Sequence, residues 1–475
     1  MIEKFLHRLA CIAAVTLLAG CATPGSDGGS GRHLVLSDDG QSEIMVSASW
    51  QTRPNFSVNA DIRLSDSMND NYLLVNTYSS AENRAMPLAQ LAQRLNGALL
   101  ENSDNGKLSA PRSVQIGGRA AIEQELRATI GDTQIIYLTA VVDGIRVRHH
   151  LVGWLVAGQD MSVLRQAMSS FRESAVLREP LERVNLVFKW PSKLSSQATF
   201  QFKSNKRGEQ FEMQGESAMS VKPAGDQEHL ISTRVTRHKI TGGKQETDKD
   251  KEKNIFVQNV LQAALTEVPD YVVNGDGEFV RIENLPAYHR RVQAAMVKGL
   301  PKGNSEALTK ARDMVQSLFT QESLAVSMQD DWNNSVGSWA GGSYALGLSY
   351  EYTMPYQAPA LGEQAFPMTM TQQLTGFVPC QKGAAPRSCV RLLQTSRVSG
   401  ADYTRAMDVF VRKTVGNDVS VTNMEIVTTV ELVTDPRTML PYASSKKETK
   451  RITISAGGQS SVSADVQESS TVYQY

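Results

Sequence analysis

The chain has 475 residues, of which 41% are hydrophobic and 21% are charged, and its formal net charge is 0. These values are typical of a globular protein that is long enough for two or three domains. The balanced charge lacks the basic footprint of nucleic-acid-binding proteins, so we expect no nucleic-acid partner.

Residues 1 to 20 have the three parts of an export signal. Lys4 and Arg8 supply positive charge, an apolar run covers residues 9 to 19, and small residues precede Cys21. A membrane-spanning helix needs about 20 apolar residues. This run is therefore too short to serve as a permanent anchor by itself.

The four residues that end this segment, Leu18-Ala19-Gly20-Cys21, resemble the lipobox of bacterial lipoproteins. The resemblance implies cleavage after Gly20 and lipid attachment to Cys21; the alternative is an ordinary secretory signal with an incidental cysteine. Two or more acyl chains attach a protein stably to a membrane. Ala22 follows the cysteine, which by resemblance to enterobacterial sorting favours the outer membrane, facing the periplasm.

Residues 21 to 32 are rich in Gly and Ser and predict a flexible tether. An α/β domain is predicted from residue 33 to 175, because polar and apolar residues alternate in several short runs separated by Gly-containing turns. Apolar residues from Leu88 to Leu99 recur at helical spacing, and Asp160 or Ser162 could cap a later helix. The strands are predicted at 43–50, 72–78, 112–117, 119–130, 133–142 and 145–156, and the later helix at 160–173.

This order of elements resembles the PsbP-like α/β/α sandwich over about 140 residues. The residues that carry the resemblance are Trp50, the stretch 72–78, the turn Gly117-Gly118-Arg119-Ala120 and the final Ser169-Ser170-Phe171-Arg172. Proteins of that fold are mostly small binding or assembly factors. The resemblance therefore implies interaction rather than catalysis.

Residues 176 to 183 predict a linker, since Pro180 interrupts any helix, and residues 184 to 475 predict a second, β-rich domain. The mixed-sign run 244–253 predicts a solvated turn or helix start. The long strands and inserted helices of this second domain resemble those of LolA-like and RseB-like periplasmic lipoproteins, which carry or sense acyl chains. The whole chain is thus predicted to be α+β, with a large curved antiparallel sheet in this domain. Strands are predicted at 184–190, 197–203, 209–221, 228–240, 343–356, 366–379, 419–433, 447–455 and 461–474, and helices at 254–267, 286–298, 304–334 and 401–415.

Two cysteines of the mature chain, Cys380 and Cys389, lie close together in sequence. An even pair in an exported protein predicts a disulfide. A metal site or a redox pair is the alternative, although no histidine is near and the spacing is not CxxC.

No arrangement of residues predicts a catalytic site, a metal site or a cofactor. The sequence lacks the GxSxG, GxxxxGK[ST] and HExxH motifs. His149 and His150 are adjacent in a predicted strand and should point to opposite faces. His229 and His238 lack acidic or cysteine neighbours at metal-ligand spacing.

Aromatic residues interleaved with glycines form the most unusual local feature. They include Trp332, Trp339, Tyr350 and Tyr352. One interpretation is an aromatic binding surface that lines a pocket or contacts a partner. The alternative is core packing around a Gly-rich turn.

Together these features predict a non-enzymatic binding or assembly lipoprotein of the cell envelope, with a protein or an acyl lipid as its ligand. Two alternatives stay open. One is an envelope hydrolase with a dispersed active site, and the other is a surface-exposed adhesion or secretion-system component.

Overall fold

The computed structural model describes most of the chain after residue 31. The predicted export signal with Cys21, the charged run 244–253, the predicted helix 254–267 and part of the one at 304–334 lie outside the described residues. The described residues are 32–47, 49–53, 56, 60–66, 71–101, 103–130, 133–174, 181–206, 209–225, 227–242, 268–298, 319–358, 361, 364–415, 418–456 and 459–475.

The chain forms two compact units. The N-terminal unit comprises Gly25–Asn185 and Gly342–Tyr352, and the C-terminal unit contains Leu186–Gly341 and Thr353–Tyr475. The sequence predicted a single domain from residue 184 to 475. In the structure, the segment Gly342–Tyr352 belongs instead to the N-terminal unit, and we call it the return segment. Its alternating pattern predicts a strand but carries no information on which unit the strand joins.

An antiparallel sheet of eight strands is the centre of the N-terminal unit. Its strand order is β3-β4-β5-β10-β9-β8-β6, and β7 pairs with β8. The strands are β3 (Trp50–Thr52), β4 (Ile62–Asp66), β5 (Asn71–Tyr78), β6 (Asp104–Leu108), β7 (Arg112–Ile116), β8 (Arg119–Ile130), β9 (Thr133–Asp143) and β10 (Arg148–Val156).

Helices pack on both faces of this sheet, in agreement with the predicted arrangement of layers. One face buries the main apolar core beneath helix α3, with Leu64, Leu138 and Leu164 fully enclosed. Helix α2 packs on the other face, where Leu91 contacts Val141. The helices are α1 (Ala81–Ala85), α2 (Leu88–Glu101) and α3 (Met161–Ser169), and the remaining strands are β1 (Arg32–Leu36), β2 (Ser42–Ser47), β11 (Arg172–Glu173), β12 (Arg183–Asn185) and β18 (Ser343–Ala345).

Two predicted local signals in this unit are confirmed. The Asp160 carboxylate accepts a hydrogen bond of 2.8 Å from the Ser162 backbone N–H and caps α3. Gly117 and Gly118 have φ values of 56° and 73°, as a tight hairpin between β7 and β8 requires. A Cβ on Gly117 would lie 2.3 Å from the Phe171 carbonyl oxygen, so glycine is needed there for space as well.

The C-terminal unit is built on a sheet of 11 strands, and its described pairings are antiparallel. Strands that follow one another in the chain are neighbours within each of two parts of the sheet, β13 to β17 and β19 to β24, and the two parts are joined where β13 pairs with β24. The strands in spatial order are β17 (Phe279–Ile282), β16 (Tyr271–Asn274), β15 (Glu228–Gly242), β14 (Glu209–Gly225), β13 (Leu194–Lys206), β24 (Gln459–Gln474), β23 (Pro441–Ala456), β22 (Val419–Thr434), β21 (Cys389–Val398), β20 (Ala365–Val378) and β19 (Ser349–Gln357).

Helices inserted between these strands cover part of the sheet. Tyr403, Met407 and Val411 recur at one-turn spacing on α6 and pack against Val421 and Met424 of β22. Among the described residues of this unit, the helices are α4 (Leu285–Lys298), α5 (Gln321–Trp332) and α6 (Ala401–Val415), and a π-helical turn covers Asn333–Gly337. None of the helices in the described ranges combines the length and apolar character needed to cross a bilayer.

Three strand predictions were wrong in their extent. The predicted strand 43–50 covers parts of two strands, β2 and β3, which belong to different sheets. The predicted strand 184–190 is a strand only at Arg183–Asn185, because the backbone N–H groups of Val187 and Lys189 bond instead to a turn at residues 436–438. The predicted strand 343–356 is interrupted, because Gly347 adopts a left-handed conformation with φ of 79°.

Candidate functional site

A row of aromatic side chains crosses three neighbouring strands of the N-terminal unit. Trp154 on β10 lies directly opposite Tyr72 on β5 and Tyr137 on β9. Directly paired residues share a face of the sheet, so the three rings stand side by side. The Trp154 centroid is 5.3 Å from that of Tyr72 and 6.0 Å from that of Tyr137.

Phe56 adds a fourth ring to this row. Its centroid lies 5.2 Å from those of both Tyr72 and Trp154, and the three planes are within 28° of parallel. All four rings are only half-buried. Helix α2 covers the same face around Val141 but leaves the end that carries the rings partly open.

Arg53 and Tyr352 lie beside these rings. The Arg53 Nε–H donates a hydrogen bond of 2.9 Å to the Ser65 hydroxyl, and its guanidinium carbon is 5.1 Å from the Tyr352 ring centroid, a cation–π distance. Burial lowers the pKa of Arg53 and raises the pKa of Tyr352 to about 12. We call Phe56, Tyr72, Tyr137, Trp154 and Tyr352 the aromatic surface.

A buried ionic cluster holds the return segment in this unit. The Asp38 carboxylate pairs with the Arg63 guanidinium and, at 3.0 Å, with that of Arg183. The Tyr350 hydroxyl accepts a hydrogen bond of 2.9 Å from the Ala345 backbone N–H and donates one of 3.4 Å to Asp38. Burial raises the pKa of Asp38, and the two guanidinium groups oppose that rise. The cluster therefore fixes the segment that supplies Tyr352.

The second polar group of the unit is centred on His149. Its Nε2 is 3.2 Å from the Glu173 carboxylate, and its Nδ1 is 3.2 Å from the Thr77 hydroxyl, which also bonds to Asp61. Despite burial, hydrogen bonds from His149 and from two backbone N–H groups lower the pKa of Glu173 to about 2. The His149 side chain is 1% exposed. This buried arrangement therefore joins strands and turns and offers no open catalytic site.

His150 lies on the other face of β10, which confirms the prediction for the two neighbouring histidines. Its Nε2 is 3.1 Å from the side-chain Oδ1 of Asn96, and the Asn96 Nδ2 donates a hydrogen bond of 2.8 Å to Oε1 of Gln124. Burial lowers the pKa of His150 to about 4. The ring is therefore neutral at pH 7.

The aromatic residues singled out in the sequence do not form one surface. Trp332 and Trp339 are 3% and 0% exposed in the C-terminal unit, where the Trp332 indole N–H donates to the Gly277 carbonyl oxygen at 2.7 Å. Tyr350 is 2% exposed in the ionic cluster. Only Tyr352 joins the aromatic surface. Core packing, which was the alternative interpretation, accounts for the other three.

The sequence prediction missed Phe56, Tyr72, Tyr137 and Trp154. They are separated by up to about a hundred residues and become neighbours only through strand register. The usable signal is an aromatic residue at an outward position in each of two consecutive strands, β9 and β10. To use that signal, one must know which residues of β9 and β10 lie opposite each other, and the predicted turn residues did not determine this register.

The predicted disulfide between Cys380 and Cys389 is confirmed. The half-cystine Cys389 is fully buried at the start of β21, and the loop between the two cysteines connects β20 to β21. The described residues contain no cluster of three or more His, Cys, Asp or Glu side chains that could hold a metal ion.

A charged row lies on one face of β23 in the C-terminal unit. Lys446, Glu448 and Lys450 alternate along that strand and so share a face. Lys450 Nζ is 2.8 Å from Glu448, and Lys446 Nζ is 3.2 Å from Asp331 at the end of α5. The Asp331 carboxylate raises the pKa of Lys446. The charges of this row are paired within the chain.

No family model matches the chain, and no curated protein matches it. Among solved structures, the cyanobacterial PsbP protein of Synechocystis is 16% identical with a TM-score of 0.24, over 32% of this chain and 98% of that one. LpqN of Mycobacterium tuberculosis, a protein involved in cell envelope biogenesis, is 12% identical with a TM-score of 0.23, over 30% of this chain and 91% of that one. Lipovitellin is 9% identical with a TM-score of 0.27, over 60% of this chain and 25% of that one. TM-scores this low assign neither a fold family nor a function, so the PsbP-like resemblance stays a prediction.

Proposed function

We propose that this chain is a lipid-anchored lipoprotein of the bacterial cell envelope and that it acts, without catalysis, as a binding or assembly factor for another envelope protein. Lipid on Cys21 would hold it to the outer membrane, facing the periplasm. The aromatic surface of the N-terminal unit is the proposed binding face.

The observation that carries the proposal is a set of half-buried rings. Tyr72, Tyr137 and Trp154 lie on one partly open sheet face, Phe56 stacks on two of them, and Tyr352 lies beside Arg53. Trp, Tyr and Arg are the residue types that dominate the binding energy of protein interfaces, and they cluster where a partner removes the remaining water. Covering the exposed remainder of such a ring contributes roughly 0.5 to 2 kcal/mol. Five rings together therefore supply enough energy for a specific partner.

The lining of the available surfaces favours a protein over an acyl chain as the ligand. Tyrosine hydroxyls and the Trp154 indole N–H accompany the apolar rings, and such groups suit a partner that also forms hydrogen bonds. A depression of about 560 Å³ on the C-terminal unit is lined mostly by polar side chains, among them Gln201, Gln214, Glu216 and Arg237. Phe200 and Val472 supply the apolar part of its lining, so the depression is mixed in character, whereas an acyl chain requires mostly apolar walls.

The test is site-specific photo-crosslinking of the full-length lipoprotein in intact cells. A photoreactive amino acid replaces Ile130, which is 56% exposed on the same face of β8 as the aromatic surface. We expect one crosslinked envelope protein, and Trp154→Ala should reduce that product at least about tenfold, because a central hot-spot ring is lost.

Two controls make the result specific. The photoreactive amino acid at Val462, which is 74% exposed in the C-terminal unit, should not give the same product. Trp154→Phe, which keeps a ring, should retain much more product than Trp154→Ala. Equal product from the parent and from both Trp154 variants would exclude the aromatic surface as the binding face.

A further inference from the structure

Arg53 is partly buried, and it differs from Arg63 and Arg148, the two buried arginines among the described residues of the N-terminal unit. Arg63 pairs with Asp38, and Arg148 lies 3.0 Å from Asp143. Arg53 forms no ion pair with a described carboxylate, and the described titratable groups that act on it are those of Tyr352 and Tyr72. A guanidinium stays protonated in proteins, so this charge is partly removed from water with no described carboxylate beside it.

The contacts of Arg53 leave a defined part of the guanidinium available. Nε donates to Ser65, and the guanidinium carbon lies over the Tyr352 ring. The two terminal nitrogens carry four N–H groups, and none of them donates to a described residue. Two parallel N–H groups of this kind match the two oxygens of a carboxylate.

We infer that Arg53 anchors a carboxylate of the protein partner, an Asp or Glu side chain or a C-terminal carboxyl group, within the aromatic surface. The inference rests on the proposed function and adds the chemistry of the partner. The contact between Arg53 and Tyr352 orients the guanidinium, and the rings around it exclude water from the ion pair, which strengthens the pair.

A lipid phosphate is the competing anion, and the surroundings of Arg53 favour the protein carboxylate. Proteins that recognise anionic lipid surfaces use clusters of about four to eight Lys or Arg side chains. Arg53 is a single cation among aromatic rings, and the nearby Arg63 and Arg183 guanidinium groups are occupied by Asp38. One charge surrounded by rings is the composition of a protein hot spot.

The experiment uses the Ile130 photoprobe in full-length protein and compares Arg53→Gln, Arg53→Lys and the parent. Loss of a charge-assisted pair should lower the crosslinked product about ten- to a hundredfold in Arg53→Gln, and the lysine variant should fall between it and the parent. In membrane extracts, added salt should lower the product of the parent and leave that of Arg53→Gln nearly constant.

Four outcomes separate the possibilities. If Trp154→Ala abolishes the product and Arg53→Gln leaves it unchanged, the carboxylate anchor is wrong and the binding face stands. If neither variant changes the product, the proposed function itself fails. If vesicles containing phosphatidylglycerol compete with crosslinking in the parent and not in Arg53→Gln, the anion is a lipid phosphate and the inference is overturned. A folded Arg53→Gln protein, shown by parent-like hydrogen exchange in β4 and β5, together with lost product supports the inference.

Discussion

The two units of this protein bury charged groups in different ways. In the N-terminal unit, Asp38 pairs with Arg63 and Arg183, which lie 25 and about 145 residues away along the chain. In the C-terminal unit, Lys450 pairs with Glu448 on the same strand. Both arrangements remove charges from water, which costs free energy unless the geometry is good.

The difference lies in what each pair specifies. Asp38 contacts β4, the residues around β12 and, through Tyr350, the return segment. Wrong packing of any of these segments would leave a buried charge without a partner, so the cluster selects one arrangement of the unit. The contact between Glu448 and Lys450 joins two residues of one strand, and the long-range contact of this charged row is the one between Lys446 and Asp331 on α5.

Removing the Asp38 carboxylate is the test of this comparison for which we expect the largest loss of stability. Asp38→Ala leaves Arg63, which is 1% exposed, without its counter-ion. We expect a loss of about 3 to 5 kcal/mol from the N-terminal unit. Hydrogen exchange measured by mass spectrometry should show lost protection in β4, β5 and the return segment, with β22 unchanged.

Arg437→Gln is the matched control for this variant. Arg437 pairs with Asp435 two residues away, and its side chain is 80% exposed. Removing such a surface pair should change stability by less than about 1 kcal/mol. Equal effects of Asp38→Ala and Arg437→Gln would contradict the idea that the buried cluster organises the N-terminal unit.

His150 gives this unit a dependence on pH. Burial lowers its folded-state pKa to about 4 from an ordinary value of 6.5. Between these values the unfolded chain binds the proton more readily, so stability is fully present above pH 6.5 and declines as the pH falls towards 4. The total loss is about 3 kcal/mol.

The measurement is hydrogen-exchange protection of β10 and α2 at pH 7 and pH 4.5, corrected for the intrinsic exchange rates. His150→Gln removes the titrating group and should abolish most of the difference. Glu173, with a pKa of about 2, contributes stability that is lost below pH 4.5, outside this window. Identical pH dependence in the parent and His150→Gln would show that another group is responsible.

Local patterns predicted many of the elements but missed strands β4, β16, β17 and β21, and they carried little information on which strands pair. Helix Leu88–Glu101 and strand Val419–Thr434 follow from apolar spacing alone, because each is decided by neighbours in sequence. Neither the assignment of the return segment to the N-terminal unit nor the register of Tyr137 and Trp154 is decided locally. Both depend on which strands pair, and a one-residue shift would turn the rings to the opposite face.

The candidate site shows the same limit. Tyr352 was found because aromatic residues are dense around it in the sequence, yet its neighbours Trp339 and Tyr350 belong to buried cores. Arg53 has no sequence signal, since its importance comes from the absence of a carboxylate within reach among the described residues. Such an absence is visible only when distant segments have been placed.

The smallest expected effect comes from the charged row of the C-terminal unit. Replacing both members of the β23 pair, Glu448→Leu with Lys450→Met, removes two costs of desolvation together with their mutual attraction and the attraction between Glu448 and Lys446. Since Lys450 is 7% exposed and its neighbour 18%, apolar replacements of similar volume fit the site. We expect the free energy of unfolding of the region β22 to β24, measured by urea titration, to stay within about 1 kcal/mol of that of the parent.

The single substitution Glu448→Leu is the contrast, because it leaves a buried ammonium group and should cost about 3 kcal/mol. A double variant that is as damaged as the single one would mean that Lys450 or Glu448 serves other partners in the sheet. The C-terminal pair would then organise its unit at long range, as Asp38 does in the N-terminal unit, and the distinction between local and long-range ion pairs would fail.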